Sequence, residues 1–395
     1  MSGTAGTGRV DVVVVGGRVA GASTALLLAR AGLSVALVER GRRGSDTLST
    51  HALMRAGVLQ LSRWGVLDGI AAAGTPAVRR TVFHHADGED VAVTIRPRSG
   101  VDALYAPRRH LLDRLLVEAA EEAGARVLHG VTVTSLHRDA TGRVTGVVGR
   151  TEGGARLDLA AGLTIGADGI RSRVAEQVGA ATTWRGRTAS AVLYRYVEDP
   201  GADAYEWTYG TGAAAGVIPT NDGASCLFVS TTPARMRRLR RRGVDRAVDD
   251  LLEAAGPEAV VRARDLRPVS AVRGWAGVPG FARRSYGPGW ALVGDAGYFK
   301  DPITSHGITD ALRDAELLAT EVLAAHGGDV AQEVALARYE ATRDRLSRQL
   351  FETTERVAAY DWDGPGIRSL LLRLSAAMGE EVEHLEQLAA VRPSA

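Results

Sequence analysis

Cysteine is almost missing: Cys226 stands alone in 395 residues, which excludes an intramolecular disulfide and any cysteine-rich zinc site. That scarcity suits a reducing compartment, and the cytoplasm is the expected location. Lysine is as rare, with Lys300 the only one, so arginine carries nearly all the positive charge. No apolar run approaches the length of a membrane span, and the N-terminal MSGTAGTGRVDVVVVGG has no basic stretch leading into a long apolar core. Neither membrane insertion nor export is expected. The formal net charge is only +2, so nothing asks for a nucleic-acid partner. The arginine-rich run 236–242 is followed by Asp245, Asp249, Asp250 and Glu253 without interleaved aromatics, which reads as a charge-paired helix face.

The length suffices for two domains or one large composite domain. A β-branched run at 10–15, an Ala/Leu-rich helical pattern at 19–31 and a second strand at 34–38 form a βαβ unit. An amphipathic helix is predicted over 109–123, with strand-like pieces at 126–136 and 143–150 joined by the turn Ala140-Thr141-Gly142. Residues 186–231 lack helical periodicity and hold short strand candidates at 191–197, 205–209, 215–219 and 225–230, which suggests an inserted antiparallel sheet. Beyond residue 307 the pattern is helical, interrupted near Asp361–Gly366. The fold class is therefore α/β, a Rossmann-like domain with an antiparallel-sheet insertion and C-terminal helices.

The segment VDVVVVGGRVAG (10–21) carries the chemistry of a dinucleotide clasp. Gly16 and Gly17 provide the tight turn after the strand, and Gly21 lets the next helix pack closely on the sheet. The amides at that helix start favour a pyrophosphate. Glu39 ends the second strand where a carboxylate accepts hydrogen bonds from a ribose diol, and Arg40 is placed to lie along the adenine. Arg18 stands where the middle glycine of G-x-G-x-x-G is expected, and a guanidinium there can contact phosphate. Further on, Asp168-Gly169 follows a short apolar strand, and Gly294-Asp295 leads through a loop to a helix starting near Gly307. Asp295 is suited to a ribityl hydroxyl, and the helix directs its positive end at whatever fills the loop, as reduced flavin requires.

The clasp with Glu39, RRHLLDRLL (108–116), GADG (166–169) and GDAGYFKDP…HGITDALRDA (294–315) together resemble the flavoprotein monooxygenases of the para-hydroxybenzoate hydroxylase superfamily. That superfamily also holds flavin-dependent halogenases and geranylgeranyl reductases. The resemblance implies FAD, with Arg109 touching the flavin, Asp168 near it, Asp295 on the ribityl chain, and Gly294, Pro302, Gly307 and Ile308 in the surrounding loop. Tyr298, Ser305-His306 and Thr309 depart from the family's frequent residues. Lys300, Asp301 and His306 fall on the loop the resemblance places beside the isoalloxazine, and Lys300 and His306 are the candidate catalytic residues. His51 is expected to be a capping or structural residue. No metal is called for.

A halogenase would need a lysine between the clasp and the sheet, where residues 72–85 offer only Arg79 and Arg80; YEWTYG (205–210) only partly matches the halogenase signature. The resemblance thus implies a monooxygenase using NADPH or NADH and dioxygen to hydroxylate or epoxidise a small aromatic or polycyclic substrate through a flavin C4a-hydroperoxide. The alternatives are a reductase of the geranylgeranyl type that saturates an alkene and, ranked below it, a flavin halogenase or an FAD-binding protein without activity. Tyr205, Trp207 and Tyr209 suit a flat pocket, though sheet aromatics more often pack the core. The expected division is an FAD-binding domain over 1–75, 104–180 and 280–325, a substrate-covering sheet over 76–103 and 181–279, and a helical segment over 326–395.

Overall fold

A computed structural model describes residues 4–85, 88 and 90–388. The strand Thr4–Val15 lies between Val35–Glu39 and Arg156–Gly166, parallel to both, and the parallel order extends to Arg126–His129 on one side and Trp290–Leu292 on the other. A strand in the middle of a parallel sheet is covered on both faces, which explains the unbroken valine run. Val12 and Val14 pack with Leu26, Leu312 and Leu318 of two helices, Val19–Arg30 and Gly307–His326. The alternate residues Val13 and Val15 face Val144, Leu157 and Val174. The unbroken valine run therefore marks a central strand, since no solvent-facing strand would carry it.

A second, seven-stranded sheet joins Arg80–His85 and Asp90–Thr94 to Ala204–Gly210, Ala213–Pro219, Ala224–Thr231, Ala191–Glu198 and Arg273–Trp275. All its pairings are antiparallel except that between Arg80–His85 and Ala204–Gly210. One face packs on the amphipathic helix Val244–Ala255 through Leu193, Val217, Val229, Val248 and Leu251. The opposite face turns inward to the site described below. The arginine-rich run falls mostly in Pro233–Arg240, and Arg242 pairs with Asp250 at 3.0 Å, as a charge-paired surface requires.

Two further long helices, Gln332–Val357 and Gly364–Gln387, follow. The break between them is written locally: Tyr360 takes a left-handed backbone (φ 56°), and the Asp363 carboxylate accepts the Gly366 amide at 2.8 Å to start the last helix just ahead of Pro365. Among the described residues no helix is long and apolar enough to cross a membrane.

Candidate functional site

The clasp is shaped by contacts that leave no room for side chains. Gly16 has φ 107°, and a Cβ there would fall 2.4 Å from the Ala167 carbonyl oxygen; at Gly21 it would fall 1.8 Å from the Gly16 oxygen. Only glycine permits both the turn and the close helix–strand approach. The Gly17 amide donates to Glu39 Oε2 at 2.6 Å and the Gly41 amide to Oε1 at 2.5 Å. These bonds fix the carboxylate at the end of its strand, and each oxygen keeps a lone pair for a diol. Neither Val19–Arg30 nor Gly307–His326 has a side chain capping its first amides at the cap position, so both helix starts keep donors for an anionic or carbonyl group.

Arg18 does something the sequence did not reveal. Its guanidinium donates to Asp113 Oδ2 at 2.9 Å and to the Ser45 carbonyl at 3.2 Å. Arg109 grips the same carboxylate, through Nε at 3.1 Å and Nη2 at 3.0 Å. Asp113 thus ties the clasp turn to the arginine expected to touch the flavin. The Arg109 half of this bridge was legible as an i,i+4 pair; the Arg18 half joins residues 95 apart.

A cavity of about 780 Å³ opens from the clasp, and Gly16, Arg18, Glu39, Arg40, Arg109 and Asp168 line it. Asp295, Pro302, Gly307, Ile308 and Lys300 line the same cavity, so residues far apart in sequence meet around one space. Gly17, Gly21 and Gly294 are not among its lining residues and act through backbone shape; Gly294 has φ 58° and lies against Ala20 and Ala311. The Asp168 carboxylate accepts the Arg173 amide at 2.7 Å and the Val174 amide at 3.2 Å, so it starts the helix Arg173–Val178 while standing at the cavity wall. Burial raises the Asp295 carboxyl to about 6 against the opposing charges of Arg109 and Lys300. A clasp built by glycines, a fixed acid at the end of the second strand and two uncapped helix starts on one cavity fit FAD.

Lys300 and His306 belong to a buried ionic cluster. The Lys300 ammonium bonds Asp310, and burial first, then the Arg313 guanidinium, pull it down to about 7. Arg313 donates to Asp310 Oδ1 and to Glu381 Oε1, both at 3.0 Å, and also to Asp314 and Ser347. His306 Nε2 bonds Glu381 Oε2 at 2.7 Å. His306 is not a cavity-lining residue: its ring is turned from the space, fully buried, because the carboxylate that satisfies it comes from the last helix. The ligand atoms of His306, Asp310 and Glu381 lie within 4.8 Å of one another, but Lys300 and Arg313 already neutralise the two carboxylates. Asp301 is likewise structural, accepting the Ser190 amide at 2.6 Å and the Ile303 amide at 3.0 Å.

The sheet contributes aromatics, though not those that stand out in the sequence. Tyr205, Trp207 and Tyr209 are core residues: Trp207 stacks on Phe83 at 5.3 Å, and Tyr209 meets Trp362 edge-on at 5.9 Å. The cavity is lined instead by Val192, Tyr194, Phe228, Ser230 and Trp275, with Phe299 edge-on to Trp275 at 6.2 Å. Register explains the set. Val192 pairs with Ser230 and Trp275, and Tyr194 pairs with Phe228, so strict alternation places all five on one face. His51, at φ 70° and 1% exposed, also lines the space, and its Nε2 bonds the Tyr196 hydroxyl.

Residues 9–354 match the family model described as an FAD binding domain. A digeranylgeranylglycerophospholipid reductase of Methanothrix thermoacetophila is 29% identical over 364 residues, covering 87% of this chain and 85% of the relative. Among solved structures, a PqsL variant of Pseudomonas aeruginosa has a TM-score of 0.78 at 22% identity, covering 94% of this chain and all of that one (100%). An aklavinone-11 hydroxylase solved with FAD and aklavinone has a TM-score of 0.70 at 24% identity, covering 87% and 68%.

Proposed function

Since the chain belongs to the FAD binding domain family and is an FAD-dependent oxidoreductase, we propose that it is a monooxygenase that uses NADPH or NADH and dioxygen to hydroxylate or epoxidise a small aromatic or polycyclic substrate. The observation that carries this reading is that the clasp and the aromatic sheet face line one and the same cavity. FAD, when bound, supplies the redox chemistry with NAD(P)H and dioxygen. The protein's part is position and dryness. Glu39 and Arg40 hold the adenosine end, Asp295 takes a ribityl hydroxyl, and Arg109, steadied by Asp113, contacts the ring system. Val192, Tyr194, Phe228 and Trp275 form a flat apolar wall that excludes water from a planar substrate. Lys300 presents a buried ammonium beside the reacting region, and His306 supports it indirectly by holding Glu381, which with Asp310 binds Arg313. We place the enzyme in the cytoplasm.

A second reading, alkene saturation, is favoured by the reductase relative. A long prenyl chain would call for an extended aliphatic tunnel, whereas the sheet side of this cavity is dominated by ring faces. Stopped-flow mixing of the reduced protein with dioxygen separates the two. An absorbance transient ahead of the return of oxidised flavin, prolonged by an aromatic substrate, is the monooxygenase result. Direct return to oxidised flavin with every candidate substrate would assign the protein to the reductase reading, and a colourless protein that takes up no added FAD would sink both.

A further inference from the structure

Among the described residues, two cavity-lining side chains each hold a buried polar atom without a protein partner, His51 at Nδ1 and Trp275 at Nε1. His51 lies at the end of the segment Thr47–His51, all five residues of which line the cavity, and its backbone is held in the left-handed region at φ 70°. A positive φ is uncommon for any residue but glycine, and such outliers concentrate at functional sites. The contacts around His51 are visible. The His51 amide donates to Ser49 Oγ at 3.0 Å, its ring stacks on Tyr196 with centroids 5.7 Å apart, and Nε2 bonds the Tyr196 hydroxyl. Tyr196 is itself pinned by Arg108, whose Cζ sits 3.7 Å from the ring centroid. With the ring so fixed, Nδ1 is buried and has no hydrogen-bond partner, a costly state unless a ligand supplies one.

Deepening the aromatic-substrate reading above, on which it rests, we infer that His51 is a substrate-binding residue whose Nδ1 takes the hydroxyl group of a neutral hydroxyaromatic substrate. Three observations select this chemistry. The walls nearest the sheet are ring faces, Tyr194, Phe228 and Trp275, suited to a flat aromatic body. Burial first, and the Arg108 and Arg109 charges next, pull the His51 imidazole down to about 3, so the ring is neutral and offers no cation to a carboxylate. The nearby cations are themselves committed, Arg108 to Asp46 at 3.6 Å, Arg109 to Asp113 at 3.0 Å and Lys300 to Asp310. A neutral imidazole bonded through Nε2 leaves Nδ1 as a donor in one tautomer and an acceptor in the other. A hydroxyl, both donor and acceptor, satisfies either.

The test uses the FAD-loaded protein and needs no turnover: perturbation of the flavin absorbance is titrated with 1-naphthol, naphthalene and 1-naphthoate. Wild type is expected to bind 1-naphthol about tenfold more tightly than naphthalene, equivalent to about 1.4 kcal/mol, and 1-naphthoate no more tightly than naphthalene. His51→Gly accepts the backbone but has no polar atom, so it should abolish the naphthol preference while keeping naphthalene affinity and FAD content. His51→Asn tolerates the same backbone and restores a polar atom near Nδ1, so it should keep most of the preference. If His51→Gly does not fold, Tyr196→Phe serves, since it frees the ring and should cut the preference at least threefold. Equal binding of naphthol and naphthalene by wild type, a preference unchanged in His51→Gly or, failing that, in Tyr196→Phe, or tighter binding of naphthoate would overturn the inference. A protein that binds naphthol through His51 yet shows no oxygen chemistry would lose the monooxygenase reading and keep this one.

Discussion

Glu381→Ala probes how the last helix is fastened to the cavity. In the folded protein this carboxylate is fully buried and accepts from His306 Nε2 at 2.7 Å and from Arg313 Nη1 at 3.0 Å. Burial pushes its pKa up, but the His306 contact and the Arg313 charge outweigh that and hold it below the ordinary carboxylate range. Removing one partner of a buried pair costs about 3–5 kcal/mol because the other charge stays behind unpaired. Arg313 keeps Asp310, Asp314 and Ser347, which puts the cost near the lower end, about 3 kcal/mol. With an unfolding entropy of roughly 2.1 cal/mol/K per residue, that lowers Tm by about 4 °C. The assay is thermal unfolding by circular dichroism at neutral pH. A depressed carboxylate contributes stability above its unfolded value near 4.5 and loses it as pH falls, so the gap between wild type and variant should narrow below that pH. An unchanged Tm at neutral pH would refute the reasoning, because it would mean the cluster carries no net stabilisation.

Glu39→Ala should weaken FAD binding by at least tenfold in a fluorescence titration, whereas Arg18→Gly should retain FAD, since Arg18 reaches Asp113 and Ser45 rather than the glycine turn. Equal losses in the two variants would contradict the division of roles. Asp295→Asn removes a carboxyl raised to about 6. A raised acid contributes stability below its unfolded value near 3.8 and loses it as pH climbs through about 6, so the wild-type apoprotein should lose about 3 kcal/mol across that window and the variant should not, as urea melts would record. Lys300→Met should lower product formation by more than tenfold near pH 6 and flatten a pH profile that in wild type falls as the ammonium deprotonates through about 7. A wild-type profile without that limb would remove Lys300 from the reaction.

What the sequence made legible was whatever depends on neighbours in the chain. The valine run and the glycines of the clasp, the amphipathic helix now seen as Arg109–Glu122 and the four strand candidates of the second sheet are all written within windows of a few residues. The site's polar partners were not, because they are long-range: Arg18 to Asp113, His51 to Tyr196, His306 to Glu381. The resemblance puts the His306 loop beside the flavin, and only the approach of the last helix shows why the ring turns inward. The aromatics show a subtler gap. Tyr205, Trp207 and Tyr209 and the pair Tyr194 and Phe228 all alternate as strand residues do, and composition cannot say which row is capped by Phe83 and Trp362 and which is left open.

The account stands or falls on whether oxygen from dioxygen reaches an aromatic substrate held in this cavity. The most direct measurement is mass spectrometry of the product formed by the FAD-loaded protein with NAD(P)H, a hydroxyaromatic substrate and ¹⁸O-labelled dioxygen. The account predicts a product heavier by one labelled oxygen atom. A product that has gained only hydrogen, or an oxygen drawn from unlabelled water, would contradict it.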